Sequence, residues 1–348
     1  DEGLSEPYRC SGGHIGRTRL EEHCWATGGL SCRFAGISDT KGTVNKYKWV
    51  FFTLRIEPTQ NVAGMTPLVG LERLPGDSSC RILVKLEGNN PSGSTKDRIV
   101  RNMLQQAEHR GEISCGDTLI EATSGNTGIA LAMAASRKGY RVILVVPDEI
   151  SEEMRTIMVA FGAELMPAPG PSGMERARDL AKDLEQQGVG RVLDQFANED
   201  NPVAHYQSTG PEIWKDSDGT VTHFISCMGT TGTIVGVAKY LKEQNPAIQV
   251  IGVQPIEGCQ IPGMQSWSPD YLPPIYEPNF IDDVVEISPE LADETARRLS
   301  QEEGIFAGIS SGAAVAAALR IGRRVENAVI ATIAYDRGER YLSTGLYD

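Results

Sequence analysis

A lysine that opens a helix after a Gly/Ser/Thr loop is a candidate nucleophilic amine. The run Asn89-Asn90-Pro91-Ser92-Gly93-Ser94-Thr95-Lys96-Asp97-Arg98 has that form. Ser94 and Asp97 stand at capping-box spacing, with Ser94 as the expected N-cap and the Asp97 carboxylate favoured in the first turn. Lys96 then lies where the helix dipole disfavours positive charge, which pushes its amine toward the neutral form that suits a Schiff base. The same residues also describe a surface lysine in an ordinary capped helix. In Glu121-Ala122-Thr123-Ser124-Gly125-Asn126-Thr127-Gly128 two glycines allow close backbone approach. Free N–H groups and the hydroxyls of Thr123, Ser124 and Thr127 make a cradle for a carboxylate or phosphate, or else a turn that caps its own helix. Met228-Gly229-Thr230-Thr231-Gly232-Thr233 combines glycines and hydroxyls without a basic side chain, as main-chain phosphate binding requires. It lacks the lysine of a Walker A loop and the spacing of a dinucleotide fingerprint, so ATP and NAD lose ground to other phosphates, and a purely structural turn stays open. In Gly308-Ile309-Ser310-Ser311-Gly312 a serine serves either as N-cap or as a hydroxyl offered to a heterocycle nitrogen. It is no hydrolase nucleophile, because the GxSxG elbow is missing there.

Each loop needs a strand before it or a helix after it, and the surrounding text supplies them. Apolar runs and helical periodicities predict strands at 81–86, 118–121, 142–147, 163–166, 191–195, 223–227, 250–253 and 328–334. Helices are expected at 99–111, 129–137, 151–161, 174–187, 204–214, 234–243, 290–303 and 312–321, and a long ordered loop at 259–280. Strands regularly separated by helices specify an open α/β architecture with mainly parallel sheets, and 348 residues suit two of them. The expected division is an N-terminal α/β domain at 56–198 and a C-terminal α/β domain at 199–348, with residues 66–88 able to pack on the latter. Residues 1–55 show no sustained period and read as an extension, disordered or artefactual. Cys10, His14, His23, Cys24 and Cys32 in that extension fit no usual zinc spacing, so no metal is expected. With 33 Lys+Arg against 46 Asp+Glu the formal net charge is −13, which argues against nucleic acid or an anionic membrane as main partner. Seven cysteines without paired spacing read as reduced thiols in a cytoplasm, and no run is apolar enough for a signal peptide or a membrane span.

Taken in order and at these separations, the four loops resemble the fold-type II pyridoxal-phosphate enzymes, specifically the O-acetylserine sulfhydrylases (cysteine synthases) of B type. The resemblance runs from about Ile56 to Leu346. It includes Thr66-Pro67-Leu68-Val69, Lys85-Leu86-Glu87-Gly88-Asn89-Asn90-Pro91, Asp194-Gln195-Phe196, Thr209-Gly210-Pro211-Glu212-Ile213-Trp214 and Arg337-Gly338-Glu339-Arg340-Tyr341-Leu342-Ser343-Thr344-Gly345. It implies a tryptophan synthase β-like fold, two open sheets with the active site between them, and typically a homodimer. It also implies pyridoxal 5'-phosphate joined to Lys96 as an imine, its ring hydroxyl oxygen met by Asn126. The phosphate would be held by Gly229, Thr230, Thr231, Gly232 and Thr233, and the pyridine nitrogen would meet Ser310. Thr123, Ser124, Asn126, Thr127 and Gln195 would grip the substrate carboxylate. The implied reaction replaces the acetoxy group of O-acetyl-L-serine by sulfide or thiosulfate through an α-aminoacrylate, giving L-cysteine and acetate. A C-terminal peptide of serine acetyltransferase is an implied partner. Relatives leave two other activities open: cystathionine β-synthase-like replacement, and serine or threonine dehydration. Three positions depart from the B-type pattern. Thr95 replaces a frequent valine, Gln265-Ser266 replaces paired arginines, and Tyr335 replaces a cysteine; the last two put the use of large anionic sulfur donors in doubt.

Overall fold

Near-continuous apolar strands that stop at polar loops dominate this chain, as expected where both faces of a sheet are covered. The computed structural model describes residues 30–31, 53–54 and 62–348, apart from 149 and 169–172. The chain divides after Glu57. In the first unit β1 (Leu30–Ser31) pairs antiparallel with β2 (Thr53–Leu54). The remaining expectations for residues 1–55, including those for Cys10, His14, His23, Cys24 and Cys32, lie outside the described residues.

In the second unit the strands are β3 (Leu68–Gly70), β4 (Arg81–Leu86), β5 (Thr118–Ala122), β6 (Arg141–Val146), β7 (Glu164–Pro167), β8 (Arg191–Val192), β9 (His223–Cys227), β10 (Gln249–Pro255), β11 (Asp283–Ile287) and β12 (Val329–Ala334). The helices are α1 (Lys96–His109), α2 (Asn126–Lys138), α3 (Glu152–Ala160), α4 (Gly173–Gln186), α5 (Asp200–Ala204), α6 (Gly210–Asp216), α7 (Gly232–Gln244), α8 (Pro289–Glu303) and α9 (Ile309–Gly322). One sheet has the order β7-β6-β5-β8 and is wholly parallel. The other runs β11-β10-β9-β12-β4-β3 and is parallel except for β3, which pairs antiparallel with β4. Two open, mainly parallel sheets are the architecture expected from the strand and helix alternation.

The core follows the apolar runs. Ile82, Val84, Leu144, Phe224, Ile225, Val250, Val253 and Ile330 are buried between sheets and helices. Burying such side chains contributes roughly 1.5–3 kcal/mol each. Gly139 ends α2 with φ 78°, a left-handed value that costs a glycine nothing, as its place before β6 suggested.

Several expectations are corrected. The helix expected at 204–214 is α5, a π-helical turn at His205–Thr209, and α6, because Gly210 and Pro211 restart the helical ladder. The strand at 191–195 pairs over only two residues before Asp194 turns with φ 51°. β3 and β11 escaped the reading, the first being three residues long and the second alternating with exposed acidic positions. Ser94 is not the expected N-cap, since α1 begins at Lys96 behind Thr95. Its hydroxyl accepts the Lys96 N–H at 3.2 Å, while the Asp97 carboxylate accepts the Ser92 N–H at 3.0 Å and the Ser92 hydroxyl at 2.5 Å.

Candidate active site

Parallel strands all point their carboxyl ends the same way, and the crevice outside those ends is where α/β sheets bind ligands. Two of the loops singled out above, 123–128 and 228–233, leave the carboxyl ends of β5 and β9, and Lys96 is carried to the same side by pairing. Ser94 bridges Asp336 just past β12, and the Thr95 N–H donates to Tyr335 O at 2.8 Å. Lys96, Thr123, Ser124, Asn126, Thr127, Gln195, Gly229 and Thr230 line one cavity. Lys96, Asn126, Gly229, Thr230, Thr231, Thr233 and Ser310 line an adjoining one, together with Thr95, Cys227 and Tyr335. Of the expected site residues only Gly232 is absent from both linings. It lies beneath the loop, where a Cβ would overlap Asn201 Oδ1.

Lys96 is partly accessible and lines both cavities. Burial lowers its amine from 10.5 to about 8, against the opposing pull of the Asp336 carboxylate. The direction is the one expected, and desolvation is its largest cause. Near-neutral basicity lets the amine act as nucleophile and proton acceptor.

Polar groups around Lys96 are fixed by second partners. Thr123 Oγ1 accepts the N–H groups of Gly125 at 3.1 Å and Gly128 at 3.2 Å, leaving its own proton for an acceptor elsewhere. Thr127 donates its hydroxyl to Gln195 Oε1 at 2.6 Å, and Gln195 Nε2 donates to Ala122 O at 3.0 Å, so these two residues hold each other. Asn126 Nδ2 donates to Asp336 Oδ2 at 2.7 Å, its Oδ1 accepts from Arg340, and Tyr341 donates to Asp336 at 2.6 Å. Burial raises the Asp336 carboxyl, opposed by Arg340, Tyr341 and Asn126. Asp336, Arg340 and Tyr341 were not singled out individually from the sequence. A charged residue directly after the apolar strand β12 was the available signal for Asp336.

The Gly/Thr loop at the start of α7 has the form of a dianion site. Thr231 has φ 67°, a conformation that strains a β-branched residue by roughly 1–3 kcal/mol. Its buried hydroxyl has no hydrogen-bond partner among the described residues, and the same holds for Thr95. Gly229 leaves no room for a side chain, since a Cβ would sit 2.6 Å from Gly263 O. Strain and orphaned donors facing a helix N-terminus fit a bound phosphate. Ser310, at the start of α9, is buried and lines the same cavity, while its carbonyl accepts the Cys227 thiol at 3.2 Å. Tyr335, at the departure noted above, has its phenol oxygen accepting the Cys227 N–H at 2.7 Å and lying 2.9 Å from Ser226 Oγ. A half-buried amine, a hydroxyl-lined anion cradle and a serine hydroxyl therefore surround one crevice, and they fit pyridoxal phosphate.

Residues 59–336 match the family of pyridoxal-phosphate dependent enzymes. The chain is 58% identical over 296 residues to cysteine synthase B of Pseudomonas aeruginosa, covering 85% of this chain and 99% of that one. Among solved structures, O-ureido-L-serine synthase aligns with a TM-score of 0.80 at 38% identity, over 84% of this chain and 96% of that one. Cysteine synthase from Entamoeba histolytica aligns with a TM-score of 0.77 at 38% identity, over 87% and 94%. With the family matched across most of its length and the crevice built as that cofactor requires, the chain belongs to the pyridoxal-phosphate-dependent enzymes.

Proposed function

We infer that this protein is a cysteine synthase, converting O-acetyl-L-serine and sulfide to L-cysteine and acetate. The observation that carries the reading is the Lys96 amine, brought to about 8 by burial, in one crevice with Thr123, Asn126 and the Gly/Thr loop. The 58% identity to a cysteine synthase B supports it. Lys96 would hold the cofactor covalently through Nζ, with Gly229, Thr230, Thr231, Gly232 and Thr233 at the phosphate, Ser310 at the ring nitrogen and Asn126 at the ring hydroxyl oxygen. Bound pyridoxal phosphate supplies an electrophilic aldehyde and a conjugated ring that withdraws electrons from the substrate Cα.

The chain's own groups do the rest. With its amine free, Lys96 Nζ would take the Cα proton as general base while acetate leaves from Cβ, and would return a proton to Cα when sulfide afterwards bonds to Cβ. Thr123, Ser124, Asn126, Thr127 and Gln195 orient the substrate carboxylate at the start of α2, where helix N–H groups favour an anion. Ser310 would offer the ring nitrogen a neutral hydroxyl, which suits the loss of a good leaving group from Cβ.

Sulfide is the favoured donor. Among the described residues lining the two cavities and the adjoining mouth, Lys96 is the only Lys or Arg, and Gln265, Ser266 and Tyr335 are uncharged. A dianion such as thiosulfate finds no spare cation there. The division at 56–198 and 199–348, a homodimer, docking of a serine acetyltransferase C-terminal peptide at the mouth and residence in a reducing cytoplasm belong to the same proposal. The free thiols of Cys80, Cys115, Cys227 and Cys259 support the last. No helix among the described residues is long and apolar enough to cross a membrane. Purified holoenzyme given O-acetylserine with sulfide, thiosulfate or homocysteine separately should release acetate fastest with sulfide, and a higher rate with thiosulfate or homocysteine would contradict that preference. Pyruvate and ammonia released from serine without any sulfur donor would instead mark a dehydratase.

A further inference from the structure

Beneath the Gly/Thr loop lies a buried histidine with a hydroxyl on each ring nitrogen. His205 opens the π-helical turn between α5 and α6; its Nδ1 lies 2.9 Å from Thr209 Oγ1 and its Nε2 lies 3.1 Å from Thr233 Oγ1. Direct packing fixes this arrangement. A Cβ at Gly236 of α7 would overlap Pro202 O and come within 2.8 Å of His205 Cβ. Burial, reinforced by the charges of Lys96 and Arg98, lowers the basicity of the ring well below its usual value and keeps it neutral. A neutral imidazole carries one N–H and one lone pair, so its two hydroxyl partners must play opposite roles.

Which role falls to which is decided by burial. Thr209 is fully buried, and Nδ1 is the only partner of its hydroxyl among the described residues. With a proton on Nδ1, the Thr209 hydroxyl hydrogen would be stranded in the interior. With Nδ1 bare, Thr209 donates to it, Nε2–H donates to Thr233 Oγ1, and the Thr233 hydrogen is released toward the cavity that Thr233 lines. In the other tautomer Thr233 would give its hydrogen to Nε2 and turn a lone pair toward the anion.

We propose that His205 is a positioning residue whose Nε2–H tautomer, selected by the Thr209 hydroxyl, makes Thr233 a hydrogen-bond donor to the cofactor phosphate. This rests on the reading that the crevice holds pyridoxal phosphate. The test uses the full chain labelled with ¹⁵N-histidine, with His205→Asn to assign the resonance, and a titration of the cofactor-free chain with pyridoxal phosphate. The expected spectrum shows an unprotonated Nδ1 and a protonated Nε2, unchanged across neutral pH. Thr209→Val should weaken cofactor binding about tenfold, the effect of one lost hydrogen bond in a relay, and Thr209→Ser should restore it. A protonated Nδ1 in the wild-type spectrum overturns the proposal even if Thr209→Val fails to fold. So does a folded Thr209→Val chain with wild-type affinity. A wild-type chain that takes up no pyridoxal phosphate overturns the functional reading and this proposal together, whereas equal uptake by wild type and Thr209→Val overturns this one alone.

Discussion

Lys96 owes its chemistry to surroundings drawn from distant parts of the chain. An exposed lysine is almost fully charged at neutral pH, whereas an amine lowered to about 8 is neutral in a substantial fraction of molecules. Because the fold favours the neutral form, the group's stability contribution rises as pH increases from about 8 toward 10.5, and it withholds that contribution below 8. The reactivity of Lys96 in the cofactor-free chain toward an acylating reagent should therefore rise with a midpoint near 8, well below that of surface lysines. Peptide mapping across a pH series reads this directly, and a midpoint near 10.5 would contradict it. The residue type and its loop were legible in the sequence, as were the hydroxyls of Thr123, Thr230, Thr231 and Ser310. Asp336 and His205 were not, because they reach the site only through the pairing of the 92–95 loop with the end of β12 and the packing of the π-helical turn on α7. Burial as the main cause of the lowered basicity was equally out of reach, since sequence position reveals the dipole but not the desolvation.

At the scale of elements, glycines without a special φ mark where backbones meet. In α9, a Cβ at Gly312 would overlap Ala292 O and lie 2.8 Å from Ala296 N, so α8 and α9 touch through this gap. Gly322, at the other end of α9, would meet only side chains at 3.5 Å or more. Gly312→Ala should destabilise the protein by about 1–3 kcal/mol through overpacking, while Gly322→Ala should be neutral or stabilising by up to about 1 kcal/mol through helix propensity. Urea denaturation of the two variants checks the contrast, and equal midpoints would refute it. Helices and strands with long periodic or apolar runs were legible to within a few residues, as β4 and β9 illustrate. Where reading failed, the elements were short or composite. β3 has three residues, and the 204–214 region reads as one helix until Gly210-Pro211 forces a restart after a wide turn.

Across the molecule, one buried ionic network ties the site helix to the six-stranded sheet. Arg98 Nε lies 2.7 Å from Glu87 Oε2, and Arg98 Nη1 lies 2.7 Å from Glu212 Oε1. Lys85 on β4 reaches Glu212 at 2.9 Å and Asp216 at 3.1 Å. Burial raises the Glu212 carboxyl, but hydrogen bonds and charge from Arg98, with the Met65 N–H and Lys85, outweigh it and hold the group at about 2. Its stabilising contribution is complete above its ordinary value of 4.5 and is lost as pH falls toward 2. Acid unfolding should steepen across that window, and Glu212→Gln should flatten it in a circular dichroism titration; an unchanged profile would count against the network. Two parallel sheets were legible from the strand and helix alternation, whereas the pairing of β4 with β12 depends on a separation of more than two hundred residues that no local pattern encodes.

In the proposed function Lys96 is the residue that carries the cofactor. Borohydride reduction of the purified holoenzyme, followed by proteolysis and mass spectrometry, tests this most directly. A pyridoxyl group on Lys96, and its disappearance in Lys96→Ala, is the predicted result. A pyridoxyl group on another lysine, or none anywhere in the wild-type digest, would contradict it.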